Sequence, residues 1–179
     1  MLQTSMNSKP PSSYFGIVQG RLTVPPEGEL QWFPQGYWQD EFVTAQEIGI
    51  EFIELLTERE HNQDNPVWSQ SGRNEIKAAS RSTGRSLYSI CNDYIINHSL
   101  LRDSAGETAA QVCKFLEVGA ELGCKVAVFP LLEQSDLTST SSAELVPLIR
   151  RFARIAAKFD MLICIESMLD GATLSLIHI

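Results

Sequence analysis

The run from Leu162 to Ser167 reads Leu-Ile-Cys-Ile-Glu-Ser, an apolar stretch suited to a buried strand and closed by a carboxylate, Glu166. In parallel α/β proteins the C-terminal tips of strands are where ligands bind and chemistry occurs. A carboxylate there is a candidate metal ligand or proton-transfer group. The competing reading is a cap for the next helix or a partner for a lysine. Glu54 closes a second such run, residues 51–56, where it can hydrogen-bond the hydroxyls of a substrate or simply sit in water as a strand-end charge. Gln19 and Arg21 follow the first strand and belong to the same end of the sheet. Arg21 suits a phosphate or carboxylate of a ligand, or a neighbouring Glu. Glu133, just past Pro130, is a further candidate at that end, with a plain loop position as its alternative. Trp32, Phe33 and Trp38 offer either an apolar wall for a ligand or core packing for the first loop. Asn92 and Asp93 fit turn capping better than ligand contact, and His61 and His178 have no constellation around them. No Ser-His-Asp or Cys-His arrangement stands out.

Alternating strands and helices must position these groups. Residues 1–13, with Lys9-Pro10-Pro11-Ser12-Ser13, read as a disordered lead-in. Strands are expected at 14–19, 51–56, 86–91, 126–129 and 161–165, the fourth stopped by Pro130. Residues 38–48 carry apolar side chains at 38, 42, 45 and 48, a helical stripe, and Gly49 suits its C-terminus. A weaker helix is expected over 70–83, closed by Gly84. Residues 108–122 place Val112, Phe115, Leu116, Gly119 and Leu122 on one face, with Gly123 as the cap. Ser141 with Glu144 forms a possible capping box for a helix whose buried side holds Leu145, Leu148, Ile149, Phe152, Ile155, Ala156 and Phe159. Pro147 is tolerated only near a first turn, which argues for a later start. A further helix is expected from Ala172. Near-continuous apolar strands mean burial on both faces, hence a parallel sheet.

Composition narrows the classes of function. The chain has 179 residues, 44% hydrophobic and 20% charged, which allows one sizeable core without demanding two domains. A net charge of −8 with scattered Lys and Arg argues against nucleic-acid binding. Four cysteines sit in apolar contexts with no C-x-x-C pair, the usage of buried hydrophobes in a reducing cytoplasm. Residues 1–13 lack the apolar core of a signal peptide, and no stretch approaches a membrane span. The expectation is a cytoplasmic protein without membrane contact.

Five βα repeats fit two architectures: a complete flavodoxin-like open sheet, or the first five units of a (β/α)8 TIM barrel. The turn after the first strand, Gly20-Arg21-Leu22-Thr23-Val24-Pro25-Pro26, lacks phosphate-cradling glycines. Spacing alone leaves the choice open. The residues move it. Gly16-Ile17-Val18-Gln19-Gly20-Arg21-Leu22, then Gln31-Trp32-Phe33-Pro34, then Trp38 with Glu41-Phe42, resemble the opening of the xylose-isomerase-like TIM barrels, the sugar phosphate isomerases/epimerases. Gly49 to Glu54, Ser89 to Tyr94 and Ile163 to Glu166 resemble the second, third and fifth strands of that family. Order and spacing over residues 14–174 carry most of the weight.

The resemblance implies a divalent metal, Mn, Mg, Co or Zn, at the mouth of the barrel. It implies ligands Glu, Asp, His and Glu from strands five to eight, of which Glu166 alone has a counterpart here. It implies proton-transfer chemistry on sugars or sugar-like hydroxy-carbonyl compounds, with Glu166 as the catalytic carboxylate and a sugar or sugar phosphate as the small-molecule partner. It also implies substrate contact by His98, in the loop after the third strand, where an ordinary surface histidine is the alternative. Inosose dehydratases share the scaffold, so a lyase on the same frame is a second reading. The expectation is an N-terminal portion, a lead over 1–13 and an incomplete barrel domain over 14–179, inactive by itself. Tight metal binding by this chain alone is not expected, and its open sheet edges invite self-association.

Overall fold

The computed structural model describes residues 15–28, 32–101, 105–137 and 142–169. The expected lead-in, Ser141 of the capping box and the helix from Ala172 lie outside the described residues. Five strands form one sheet: β1 (Gly16–Val18), β2 (Phe52–Thr57), β3 (Ser86–Asn92), β4 (Val126–Leu131) and β5 (Leu162–Ser167). The helices are α1 (Trp38–Ile48), α2 (Gln70–Thr83), a short α3 (Tyr94–Asn97), α4 (Ala105–Leu122) and α5 (Ser142–Ala157). Strand order is β1-β2-β3-β4-β5, and every pair is parallel.

That order decides the architecture. A flavodoxin-like sheet reverses direction once and reads 2-1-3-4-5. Here no reversal occurs, so the open-sheet alternative is excluded. Each crossover joins neighbouring strands, and right-handed connections then stack the main helices on one face, as in a (β/α)8 barrel. The described residues form the first five strands of such a barrel and the four main helices that connect them.

The core lies between sheet and helices. Ile53 and Leu55 of β2, Ile90 of β3, and Ala127, Phe129 and Leu131 of β4 meet Phe42 of α1, Ile76 of α2, Phe115 of α4 and Phe152 of α5, all fully buried. Phe129 sits between Phe115 and Phe152, with ring centroids 6.2 Å apart in both pairs. The opposite, concave face is not sealed to the same degree. On β5, Leu162 is 69% exposed, and Cys164 and Glu166 are exposed as well. Burial on both faces therefore fails for β5, because nothing among the described residues packs over that side. At the other edge the concave face is tight: a Cβ on Gly16 would come within 2.1 Å of the Phe52 ring.

Three of the departures from the expected boundaries have a specific physical reason. β4 runs through Pro130 to Leu131. Its pairing with β3 ends at Cys91–Val128, so the missing N–H of Pro130 falls past that ladder and the strand continues on its β5 side. α5 begins at Ser142 with Pro147 inside it. The lost backbone bond is offset by the buried stripe of Leu145, Ile149, Phe152 and Ala156. Phe159 falls beyond the helix end and is 40% exposed rather than buried.

One buried carboxylate ties the first unit together. Glu41, 1% exposed on α1, accepts the backbone N–H of Gly20 at 2.9 and 2.8 Å and that of Leu22 at 2.9 Å. The Thr23 hydroxyl adds a bond at 3.3 Å. Burial pushes its carboxyl above the ordinary range, and these hydrogen bonds pull it back. Glu41→Ala leaves the N–H groups of Gly20 and Leu22 without acceptors and should cost about 2–4 kcal/mol. A shift of the urea midpoint, followed by tryptophan fluorescence, measures it; an unchanged midpoint would refute the clamp.

Candidate functional site

The C-terminal ends of the strands gather the chemistry. β2 and β3 shift register there: Ile53 faces Leu87 but Glu54 faces Ser89, leaving Tyr88 as an extra residue. Such a bulge re-aims the side chains that follow it. Here it brings the Ser89 hydroxyl to Glu54, donating to Oε2 at 2.6 Å. Burial pushes Glu54 above the usual carboxylate range, the Ser89 hydroxyl pulls it down, and the charge of Glu166 pushes it up. Glu166 lies at the tip of β5 opposite Pro130 of β4, with its side chain exposed.

Asp93 follows β3 directly. It stands at the N-cap position of α3 yet makes no capping bond. The capping role expected of it is therefore not the one the structure shows. Its side chain is buried, and the Cys91 thiol donates to Oδ1 at 3.2 Å. Burial pushes the Asp93 carboxyl up to about 6; the Cys91 bond and the Arg59 charge lower it, and the charges of Glu166 and Glu54 raise it. Burial and the same neighbouring carboxylates hold Cys91 well above the ordinary thiol value, so it stays a neutral donor.

Asp93 opens into a cavity of about 410 Å3 lined by Pro26, Trp32, Phe33, Leu56, Glu58, Arg59, Glu60 and Asp93. The volume suits a small ligand. Trp32 is fixed there by its indole N–H, which donates to the Gly20 carbonyl at 3.0 Å. Gly20 has φ 89°, and a Cβ on it would come within 2.1 Å of the Trp32 carbonyl oxygen, so this close approach requires glycine. Trp38, by contrast, is a core residue, 5% exposed and edge-on to Phe42.

The other expected site residues divide. Gln19 is buried: its Oε1 accepts the Leu56 N–H at 3.3 Å, and its Nε2 has no partner among the described residues. Arg21 is exposed and does not line the cavity. His98 lies one step back, stacked on Tyr94 at 3.9 Å with its Nε2 3.1 Å from Glu60 Oε2. Asn97 donates to the other Glu60 oxygen at 2.9 Å. These partners hold the Glu60 carboxyl below the ordinary range. Glu133 is taken by Arg59, whose two Nη groups bind it at 2.9 and 2.8 Å. His178 lies outside the described residues.

Glu58, Arg59 and Glu60 were not singled out by sequence, for they sit in a polar loop with no periodicity. Among the described residues, no set of three His, Cys, Asp or Glu is placed to hold a metal ion. Nor is any described helix long and apolar enough to cross a membrane.

Neither family models nor curated proteins give a match. Solved structures do. A xylose isomerase domain protein from Planctomyces limnophilus superposes with TM-score 0.63 at 12% identity, over 91% of this chain and 56% of its own length. A xylose isomerase-like TIM barrel protein from Mycobacterium smegmatis, in complex with magnesium, gives 0.61 at 14% identity over 81% and 54%. A sugar phosphate isomerase/epimerase from Parabacteroides distasonis gives 0.57 at 15% over 92% and 55%. The fold is that of the xylose-isomerase-like TIM barrels. The chain spans about half the length of these structures. The cavity thus lies at the C-terminal ends of the strands of a partial TIM barrel.

The pH dependence of stability tests the Asp93 environment. A folded-state value raised from 3.8 to about 6 means the folded protein holds that proton more tightly than the unfolded chain, so stability falls as pH rises through this interval. Asp93→Asn removes the fall. Its stability relative to the wild type should therefore climb across the interval by up to about 3 kcal/mol and then level off, one pKa unit being worth about 1.4 kcal/mol. Urea denaturation of both proteins across the interval measures this; parallel curves would refute it.

Proposed function

We propose that this chain supplies the sugar-binding part of the mouth of an isomerase or epimerase acting on sugars or sugar-like hydroxy-carbonyl compounds. The observation that carries the reading is the cavity itself: an apolar wall of Trp32, Phe33 and Pro26 faces Asp93 and Glu58 at the C-terminal ends of parallel strands. Sugars present apolar C–H faces and hydroxyl edges, and such a wall opposite carboxylates matches both.

Isomerisation and epimerisation remove a proton from the carbon beside a carbonyl and return it elsewhere. Glu166 is the carboxylate assigned to that transfer. Glu54, already held by Ser89, accepts a hydrogen bond from a substrate hydroxyl. Asp93, poised at about 6, exchanges a proton with a substrate oxygen near neutral pH. Gln19 and Arg21 are not needed for ligand contact in this scheme, and His98 acts by orienting Glu60. Magnesium accompanies one barrel of this fold. Glu166 is the ligand this chain offers to such a divalent ion, but the described residues do not complete a site, and no step is routed through it. Turnover then needs groups beyond those described.

Titrating the chain with D-fructose, D-xylose and myo-inositol while following tryptophan emission tests the binding half. A saturable millimolar response is expected, lost at least tenfold in Trp32→Ala. No saturable response to any of them would overturn the reading. Deuterium uptake from D2O at the carbon beside the carbonyl tests the rest: exchange should stay at the buffer rate. A faster rate, abolished by Glu166→Gln, would show instead that Glu166 and Glu54 suffice alone.

A further inference from the structure

The cavity holds a charge pattern that bears on which sugars it admits. Arg59, just past β2, is the sole cation among the described residues lining it, against Glu58, Glu60 and Asp93. Glu58 accepts from Asn62 at 2.7 Å and from Asn65 at 2.8 Å, and Glu60 from Asn97 and His98. The guanidinium is engaged end-on by Glu133, just past β4, through two bonds from its Nη1 and Nη2 of 2.9 and 2.8 Å. This clasp joins the loops after β2 and β4 over the end of β3. Glu133 holds its place with φ 49°, a left-handed backbone uncommon for a residue with a side chain. The Ser135 hydroxyl anchors the same turn by donating to the Ile95 carbonyl.

We propose that the Arg59–Glu133 clasp sets the charge selectivity of the cavity, so that it admits neutral polyols and rejects phosphorylated ones. The identity of the natural ligand as a sugar rests on the reading above; the exclusion of phosphate does not. Two facts support the exclusion. The Nη1/Nη2 edge that would bind a phosphate bidentately is already filled by a carboxylate. And the pair is half-exposed, 47% and 56%, so it is weak and could open. Opening it does not help a phosphate, for it strips Glu133 of its counter-ion and leaves four carboxylates around one guanidinium. Selectivity therefore comes from the charge tally and not from the strength of the clasp. Glu133 is the specificity-determining residue because it cancels Arg59.

Inorganic phosphate is the direct probe, since it carries the charge without the sugar. Titration monitored by 31P line broadening should show no saturable binding to the wild type. Glu133→Gln, exposed and nearly isosteric, should bind phosphate at least tenfold more tightly, and Arg59→Gln added to it should abolish the gain. In parallel the wild type should bind D-fructose at least tenfold more tightly than D-fructose 6-phosphate. Phosphate binding by the wild type equal to that of Glu133→Gln, or a gain that survives loss of Arg59, would overturn the proposal. Absence of fructose binding with the phosphate gain intact would overturn the sugar reading alone.

Discussion

Glu41 reaches across from the first turn of α1 to hold a stretch of chain that has no strand partner on that side, and the rest of the site is built outward from that grip. Its carboxylate binds Gly20 and Leu22, which fixes the turn leaving β1. The Gly20 carbonyl then holds the Trp32 indole. Trp32 in turn forms the apolar side of the cavity. A buried ionisable group with this many donors is costly to place. It is retained where a loop rich in proline and glycine would otherwise sample many arrangements.

The mouth shows a related economy of cations. Glu54, Asp93 and Glu166 lie close enough that each raises the proton affinity of a neighbour. Structural carboxylates in such a cluster are commonly met by Lys or Arg. Here neutral donors, the Ser89 hydroxyl and the Cys91 thiol, bind Glu54 and Asp93. Neutral donors hold a carboxylate in position without driving its proton away, so Asp93 stays near 6. That is the condition for acid–base work near neutral pH. Arg59, the one guanidinium among the described residues lining the cavity, lowers the Asp93 carboxyl without outweighing burial, and it is itself paired with Glu133.

What the sequence discloses follows from range. α1 and α2 end where their periodicity stops, at Gly49 and Gly84, because a helix and its C-cap are local. Glu166 is legible as a strand-end carboxylate for the same reason, whereas Glu54, expected at the end of β2, stands within it because the strand runs on to Thr57. The Ser89–Glu54 bond depends on a register shift between two strands, and no single strand encodes that shift. Arg59 and Glu133 are 74 residues apart in sequence and lie in polar loops, so neither announces the other. Asp93 has the sequence of a capping residue, and the cavity wins it only because Cys91 and burial offer an alternative to the helix N-terminus. Pro130 reads as a stop only if β4 is assumed to be paired on both sides.

Glu54 and Glu166 stand in different electrostatic surroundings. Glu54 is held by the Ser89 hydroxyl and partly buried, and burial already raises its proton affinity. Glu166 stands on an edge strand beside exposed Leu162 and Cys164. Water surrounding a carboxylate stabilises its charge and competes for the proton it should pass on, so electrostatic help from the site is weakest there. A further element laid over Leu162, Cys164 and Glu166 would bring Glu166 into the regime Glu54 occupies. It would also add Coulomb repulsion between them, since charges felt weakly through water are felt strongly through protein. The apolar wall needs none of this, because Trp32 is held through Gly20 by Glu41 of α1 and Leu56 lies on β2.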